Sequence, residues 1–262
     1  MAKSNIATGK FITLDDDVFQ HKIRKLAKKF GVEEKQFVKE QGAAFVNDIG
    51  RFVPPYKTFP VGKSRTMGGA KDNKAGQLAV MYDLKKLFFV PNAAVYTWAE
   101  NKFKRGEIFK GRKVIGAGVA KSIDEMKNFH NKHRNIRTGR PRSLKGFQQM
   151  WVSEKLFKKY YALEKADVGT AKGALATAVK MLNPKYAIPA WIAKQMGKAH
   201  GSGRCVKIAD SWTAVFKCRA FGLQHVRPSM VAIVQKGRLK AMENRLKFIF
   251  KDAAKKSGWK VR

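Results

Sequence analysis

Carboxylates are what this chain has least of. Its 262 residues hold 19 Asp and Glu against 55 Lys and Arg, a formal charge of +36. A folded body with so large a charge repels itself, which argues for life against something anionic. Nucleic acid is the commonest such partner, and an acidic protein surface or a membrane face are the others. Only nine carboxylates follow residue 101, so the basic part lacks the clustered acids that metal-assisted chemistry on nucleic acid would need. Cysteine is nearly absent as well: Cys205 and Cys218 are too few for a disulfide scaffold and suit a reducing compartment. The opening "MAKSNIATGKFITLDDD" has no apolar core of signal-peptide length, and no run approaches 18 uncharged apolar residues. These absences lead us to expect a soluble protein, assembled in a cytoplasm and spanning no membrane.

What is present is enough apolar residue to fold. At 44% hydrophobic content the chain is no disordered polycation. Its length suits one large domain or two ordinary ones. The charge is uneven: residues 1–101 carry 17 basic and 10 acidic side chains, residues 102–262 carry 38 and 9. Within the second part, 102–145 holds 14 basic against 3 acidic, and 236–262 holds 10 against 2. One face or end is therefore expected to meet the anion.

Apolar periodicity places helices at 15–30 (Phe19, Ile23, Leu26, Phe30), at 33–53 (Phe37, Phe45, Ile49, Phe52) and at 77–90. Pro54 and Pro55 end the second, because neither has an N–H to continue the ladder, and Pro91 ends the third. Residues 57–76 read as loop, and 92–121 are open between short strands and an extended arm. Ser122 and Glu125 have capping-box spacing for a helix over 122–134. Helices at 153–166 and 170–182, with a short turn at 188–197, come before a change of period. "RCVKIAD" (204–210) and "WTAVFKCRAF" (212–221) alternate as a hairpin, and a third strand is expected within 224–234. Lys236–Lys256 closes the chain as a basic amphipathic helix with Leu239, Met242, Leu246 and Ile249 inward. The fold class is α+β: N-terminal helices, a central basic arm, then helices with a small antiparallel sheet and a closing helix. By composition the segments are 1–121, mainly helical; 122–150, a basic arm or linker; and 151–262, α+β.

Catalytic signatures fail on inspection. "VGKS" at 61–64 lacks the glycine a phosphate loop needs, with Lys57 in its place, and after "GAG" at 116–118 the third glycine of a dinucleotide fingerprint falls on Lys121. His130 and His133 share a helix face but have no acidic companion in a known ligand pattern, and His200, Cys205, Cys218 and His225 match no zinc-finger spacing. Asp124 and Glu125 read as helix-start charges, and no nucleophile elbow occurs. Neither an enzyme, a metal site nor a cofactor is expected.

The basic stretches remain. "NKFKRGEIFKGRK" (101–113) interleaves Phe103, Ile108 and Phe109 with Lys104, Arg105, Arg112 and Lys113. That pattern fits base stacking with phosphate pairing, and equally a strand with one solvated face. "HRNIRTGRPR" (133–142) presents Arg134, Arg137, Arg140 and Arg142, whose guanidinium forks suit bidentate grip on phosphate or carboxylate. These eight residues are the candidate contacts to an anionic partner. The arginine stretch is expected to be an arm that orders on assembly.

Several segments together carry a resemblance: "FVNDIGRFVPPYKTFPVGKS", then "ALEKADVGTAKGALATAVKML" leading to "IPAWIAKQMG", a hairpin, and "GRLKAMENRLKFIFKDAAKK". Their order resembles minor structural proteins of tailed bacteriophages, of the neck, tail-completion and tail-terminator kind. A "VG-x-AK" helix followed by a "PAW" turn falls here on Val168, Gly169, Ala171, Lys172 and on Pro189, Ala190, Trp191. Where such proteins carry a tryptophan in that helix, this chain has Ala174 or Leu175. The resemblance covers about 35–60 and 150–256 and implies a virion protein of the head–tail junction, a homo-oligomeric ring docking to portal, adaptor and tail proteins, with packaged double-stranded DNA as a further contact. It implies no catalytic residues. The alternative is a basic RNA-binding protein of a ribosome-like particle, against which the 18 Phe spread through helical stripes speak.

Overall fold

The computed structural model describes residues 34–56, 67–102, 108–109, 112–113, 117–135, 140–144, 148–208, 211–220, 223 and 226–256. The helix expected at 15–30 lies outside them. Two packed units divide the chain, one formed within Met1–Lys71 and Gly169–Arg262, the other by Asp72–Val168. The compositional segments 1–121, 122–150 and 151–262 cut the chain elsewhere: by packing it leaves the first unit after 71 and returns at 169.

The first unit is built on α1 (Glu34–Gly50) and α6 (Thr170–Leu182), packed on the antiparallel pair β5 (His200–Ile208) and β6 (Ser211–Arg219), with a short α7 (Ala190–Ala193) and a long α8 (Pro228–Lys256). Every residue from Gln41 to Gly50 is buried, so α1 is enclosed rather than amphipathic over its second half. α6 owes its deep seat to small side chains. Ala171, Ala174, Ala176 and Ala178 are buried along it, with Leu175, Val179 and Leu182 filling the core. The hairpin pairs His200 with Arg219 through to Ile208 with Ser211. Gly203, Ala214, Phe216 and Cys218 face inward. Asp48 of α1, itself buried, anchors α8 through Arg238, whose Nε stands 2.5 Å from Oδ2.

The expected third strand over 224–234 is not formed. Residues from Pro228 onward are helical, and Val231 and Val234, three apart, are buried while Ile233 is 60% exposed. The short apolar run was ambiguous between the two periods, and Pro228 at the first helical position, where a missing N–H costs nothing, decided it.

The second unit contains α2 (Ala70–Leu87), β1 (Phe88–Phe89), α3 (Ala93–Lys102), β2 (Ile108–Phe109), β3 (Arg112–Lys113), α4 (Ile123–Lys132), β4 (Met150–Trp151) and α5 (Glu154–Ala166). α2 starts seven residues earlier than its apolar stripe, with Asp72 in its first turn and Lys85 and Lys86 in its last, each sign at the dipole end that favours it. β1 and β4 pair in parallel, and Trp151 also bridges Val119, so three short segments meet side by side. Around them pack Leu84, Leu87, Phe88, Met126, Phe129, Val152, Phe157 and Tyr160. Phe88 stacks edge-on to Tyr160 with ring centroids 5.9 Å apart. Ser122 caps α4 as its spacing predicts, its hydroxyl accepting from the Glu125 N–H at 3.2 Å, while the Glu125 carboxylate accepts from the Lys121 N–H at 2.9 Å. With helices and small separate sheets, the fold class is α+β.

Candidate functional site

The expected arginine arm begins where α4 ends. Its two sides turn back on each other: Arg134 bridges Pro141 in antiparallel fashion, the Asn135 N–H donates to the Arg140 carbonyl at 2.8 Å, and the Arg142 N–H donates to the His133 carbonyl at 2.9 Å. The segment therefore leaves and re-enters the second unit through a small hairpin. Arg140 and Arg142 lie exposed on its returning side. Arg137 lies outside the described residues, as do Lys104 and Arg105. Arg112 and Lys113 form β3, paired with Phe109 and Ile108. The structure thus brings Arg134, Arg140 and Arg142 together.

Arg134 is engaged inside its own unit through its side chain. Its Nη2 lies 3.7 Å from the Glu164 carboxylate and 3.4 Å from His130 Nε2. His130, 5% exposed, has its Nδ1 2.8 Å from the Tyr160 hydroxyl. The polarity consistent with all three contacts has Arg134 donating to Nε2, Nδ1–H donating to the tyrosine oxygen, and the tyrosine O–H donating to Glu164. Burial, and then the Arg134 charge, pushes the His130 pKa down to about 4, against a smaller upward pull from Asp83. Burial also holds the Tyr160 hydroxyl well above its ordinary range, helped by the Glu164 charge. At neutral pH both are fixed as uncharged hydrogen-bonding groups. That arrangement secures the root of the arginine hairpin to α5.

A second constellation lies in the first unit, where the two resemblance motifs meet. Gly169 adopts φ +91° at the start of α6, and a Cβ there would stand 2.5 Å from Cζ3 of Trp191. Three residues on, Lys172 is completely buried, its ammonium donating to the Met67 carbonyl and lying 5.9 Å from the Trp191 ring centroid. The Trp191 indole N–H donates to the Gly68 carbonyl at 3.2 Å. One lysine and one tryptophan thus fasten consecutive carbonyls of the 67–68 turn to α6 and α7. A buried ammonium must be compensated by such acceptors and by the ring face.

The cysteines and histidines do not assemble. Cys205 pairs across the hairpin with Ala214 and Cys218 with Gly201, so the thiols sit two inward rungs apart, roughly 13 Å along the ladder. Cys218 is buried, its thiol pushed up to about 12 by burial. His225 lies outside the described residues. Among the described residues no group of three or more His, Cys, Asp and Glu is placed to hold a metal ion, and no helix is long and apolar enough to cross a membrane.

A second basic surface lies outside the two charge-rich segments, 102–145 and 236–262. Between Asp167 and Glu243 the sole carboxylate is Asp210, against thirteen Lys and Arg. In β5 and β6 the outward positions include Arg204, Lys217 and Arg219, all exposed. The signal was legible: once a hairpin is read there, period two puts these three on one face.

The chain matches no protein-family profile, no curated protein and no solved structure.

Proposed function

We propose that this protein is a structural component of a tailed-phage virion at the head–tail junction, a ring-forming neck or tail-completion protein that docks to portal, adaptor and tail proteins and contacts packaged DNA. The observation that carries this reading is the meeting of the two motif segments on one buried lysine. Gly169 and Lys172 from the "VG-x-AK" helix, and Trp191 from the "PAW" turn, form a single packed knot with the 67–68 turn. Gly169 and Trp191, 22 apart in sequence, and Lys172 and Trp191, 19 apart, share one contact set, which suits a motif that works as a unit. The knot's role is structural, since Lys172 is sealed from solvent. No catalytic step is assigned to the chain. Its surface is the working part: a ring member needs complementary charge toward acidic rims and phosphate toward a genome passing through.

Deleting the gene in the parent phage tests the reading. DNA-filled heads and finished tails that remain separate, and that join when purified protein is added, are the expected result. In wild-type particles the chain is expected at the junction in ring copy number by antibody labelling. Normal infectious particles without the chain, or its co-sedimentation with ribosomal RNA, would overturn the proposal.

A further inference from the structure

We infer that the outward face of the β5–β6 hairpin is a docking strip for the phosphate backbone of a nucleic-acid duplex. Three successive outward rungs of the ladder pair His200 with Arg219, Ser202 with Lys217, and Arg204 with Val215. Each carries one exposed cation. Same-face positions repeat about 6.8 Å along a strand, so the row extends roughly 14 Å, a stretch in which one strand of B-form duplex presents about four phosphates. His200, exposed opposite Arg219, is an additional donor at the end of the row, while the Ser202 hydroxyl donates to the Lys217 carbonyl at 3.4 Å.

Three observations favour this occupant. Neither strand contains a carboxylate, so the row has no acid of its own to neutralise it or repel an anion. The buried carboxylate of α1, Asp48, is already held by Arg238 and Arg51. No aromatic side chain stands on these rungs: Phe216 is buried on the inner face, and Trp212, also inward, has the Lys35 ammonium 4.7 Å from its centroid. A single-strand binder stacks bases on exposed aromatics, and a protein interface centres on an apolar or aromatic anchor. The basic rungs have no aromatic, their one apolar side chain, Val215, is only partly exposed, and the exposed Ile208 stands two rungs beyond the row. The hairpin is also rigidly backed, because Gly201 and Gly203 rest directly on the Ala174 and Ala178 carbonyls of α6. A rigidly backed cationic strip suits a stiff polyanion.

That the duplex is packaged DNA rests on the proposed function; the strip itself does not. The test measures binding of the full chain to a mixed-sequence 30-base-pair DNA duplex by fluorescence anisotropy across a sodium chloride series. The variant R204A/K217A/R219A is compared with K127A/K132A/K159A, which removes three exposed lysines from α4 and α5. The hairpin variant should lower the slope of log affinity against log salt by about 2 to 3 and weaken binding about tenfold or more at 100 mM salt, since each lost phosphate contact forfeits one released counterion. The helix variant should lose less than half as much, and R204K/K217R/R219K should bind as the parent does. Equal losses from both alanine variants, or parent-like binding by the hairpin variant, would overturn the inference. If the hairpin variant binds the duplex normally but fails to join heads to tails, the face docks acidic protein and the inference falls. If the chain proves absent from particles while the slope change is found, the strip stands and the neck reading falls.

Discussion

A neutral histidine is buried beside an arginine at the root of the arginine hairpin, which gives this protein a defined response to acid. The folded-state pKa of His130 is lowered to about 4, first by burial and then by Arg134, with Asp83 opposing. In the unfolded chain it titrates near the ordinary value of about 6.5. Between those values the unfolded state binds the extra proton, so stability rises with pH. His130 thus contributes fully above about 6.5 and loses that contribution as pH falls toward 4. Discounted for partial solvation, the contribution is about 2 kcal/mol. Tyr160, Arg134 and Glu164 face the imidazole, and Glu164 Oε2, 3.9 Å from Nδ1, is positioned to soften the loss by pairing with a protonated ring. Urea unfolding of wild type and His130→Gln at pH 7 and pH 4.5 checks this. The wild type is expected to lose about 1–2 kcal/mol more than the variant on acidification. Parallel losses would remove His130 from the account.

At the scale of elements, the seam between α6 and the hairpin is set by what glycine leaves out. A Cβ on Gly201 would collide with the Ala174 carbonyl, and one on Gly203 with the Ala178 carbonyl and with Leu182 Cγ at 2.9 Å. Residues two apart on a strand therefore match carbonyls four apart on a helix, and backbone meets backbone without a side chain between. Gly203→Val should push the helix from the sheet and destabilise the first unit by about 3 kcal/mol, read from its urea midpoint. A change under about 0.5 kcal/mol would show that the seam is looser than its geometry. This seam was not visible in the sequence, where "GSGR" reads as turn chemistry. Elements with strong local signals were visible: α1 between its Phe stripe and Pro54, α4 behind the Ser122 cap, and the hairpin through its alternation. The pairing of Phe88–Phe89 with Met150–Trp151 had no local signal, because two-residue strands over 60 positions apart are aligned by the core they share. The arginine stretch was legible in charge but not in shape. Composition marks Arg134 and Arg142 alike, and only the packed neighbours Glu164 and His130 distinguish the anchored one from the exposed one.

For the whole molecule, the governing fact is that one packed unit interrupts another. The segment Asp72–Val168 has its own core, in which Leu84, Leu87, Met126, Val152 and Tyr160 are almost wholly buried, and none of these residues belongs to the core of α1, α6 and the hairpin. Its polar anchors are also internal. The Tyr96 hydroxyl donates to the Ala120 carbonyl at 2.8 Å, the Gln149 amide to the Lys85 carbonyl at 2.9 Å, and His130, Tyr160, Arg134 and Glu164 close on one another. A segment of about 100 residues with a continuous core of its own and polar anchors that close within it meets the requirements for folding alone. The fragment 70–168, which keeps the whole of α2, is therefore expected to be helical by circular dichroism and to unfold in urea as a single cooperative transition. It should also carry the His130 acid response, because every group that faces that ring lies within it. The charge is then divided as well: the fragment keeps the arginine hairpin while the remainder keeps the basic β-strip. Weak duplex binding by the fragment, beside strong binding by the full chain, is what that division requires. A fragment without a cooperative transition would mean that the second core depends on the first, and the two basic surfaces would then have to be treated as parts of one body.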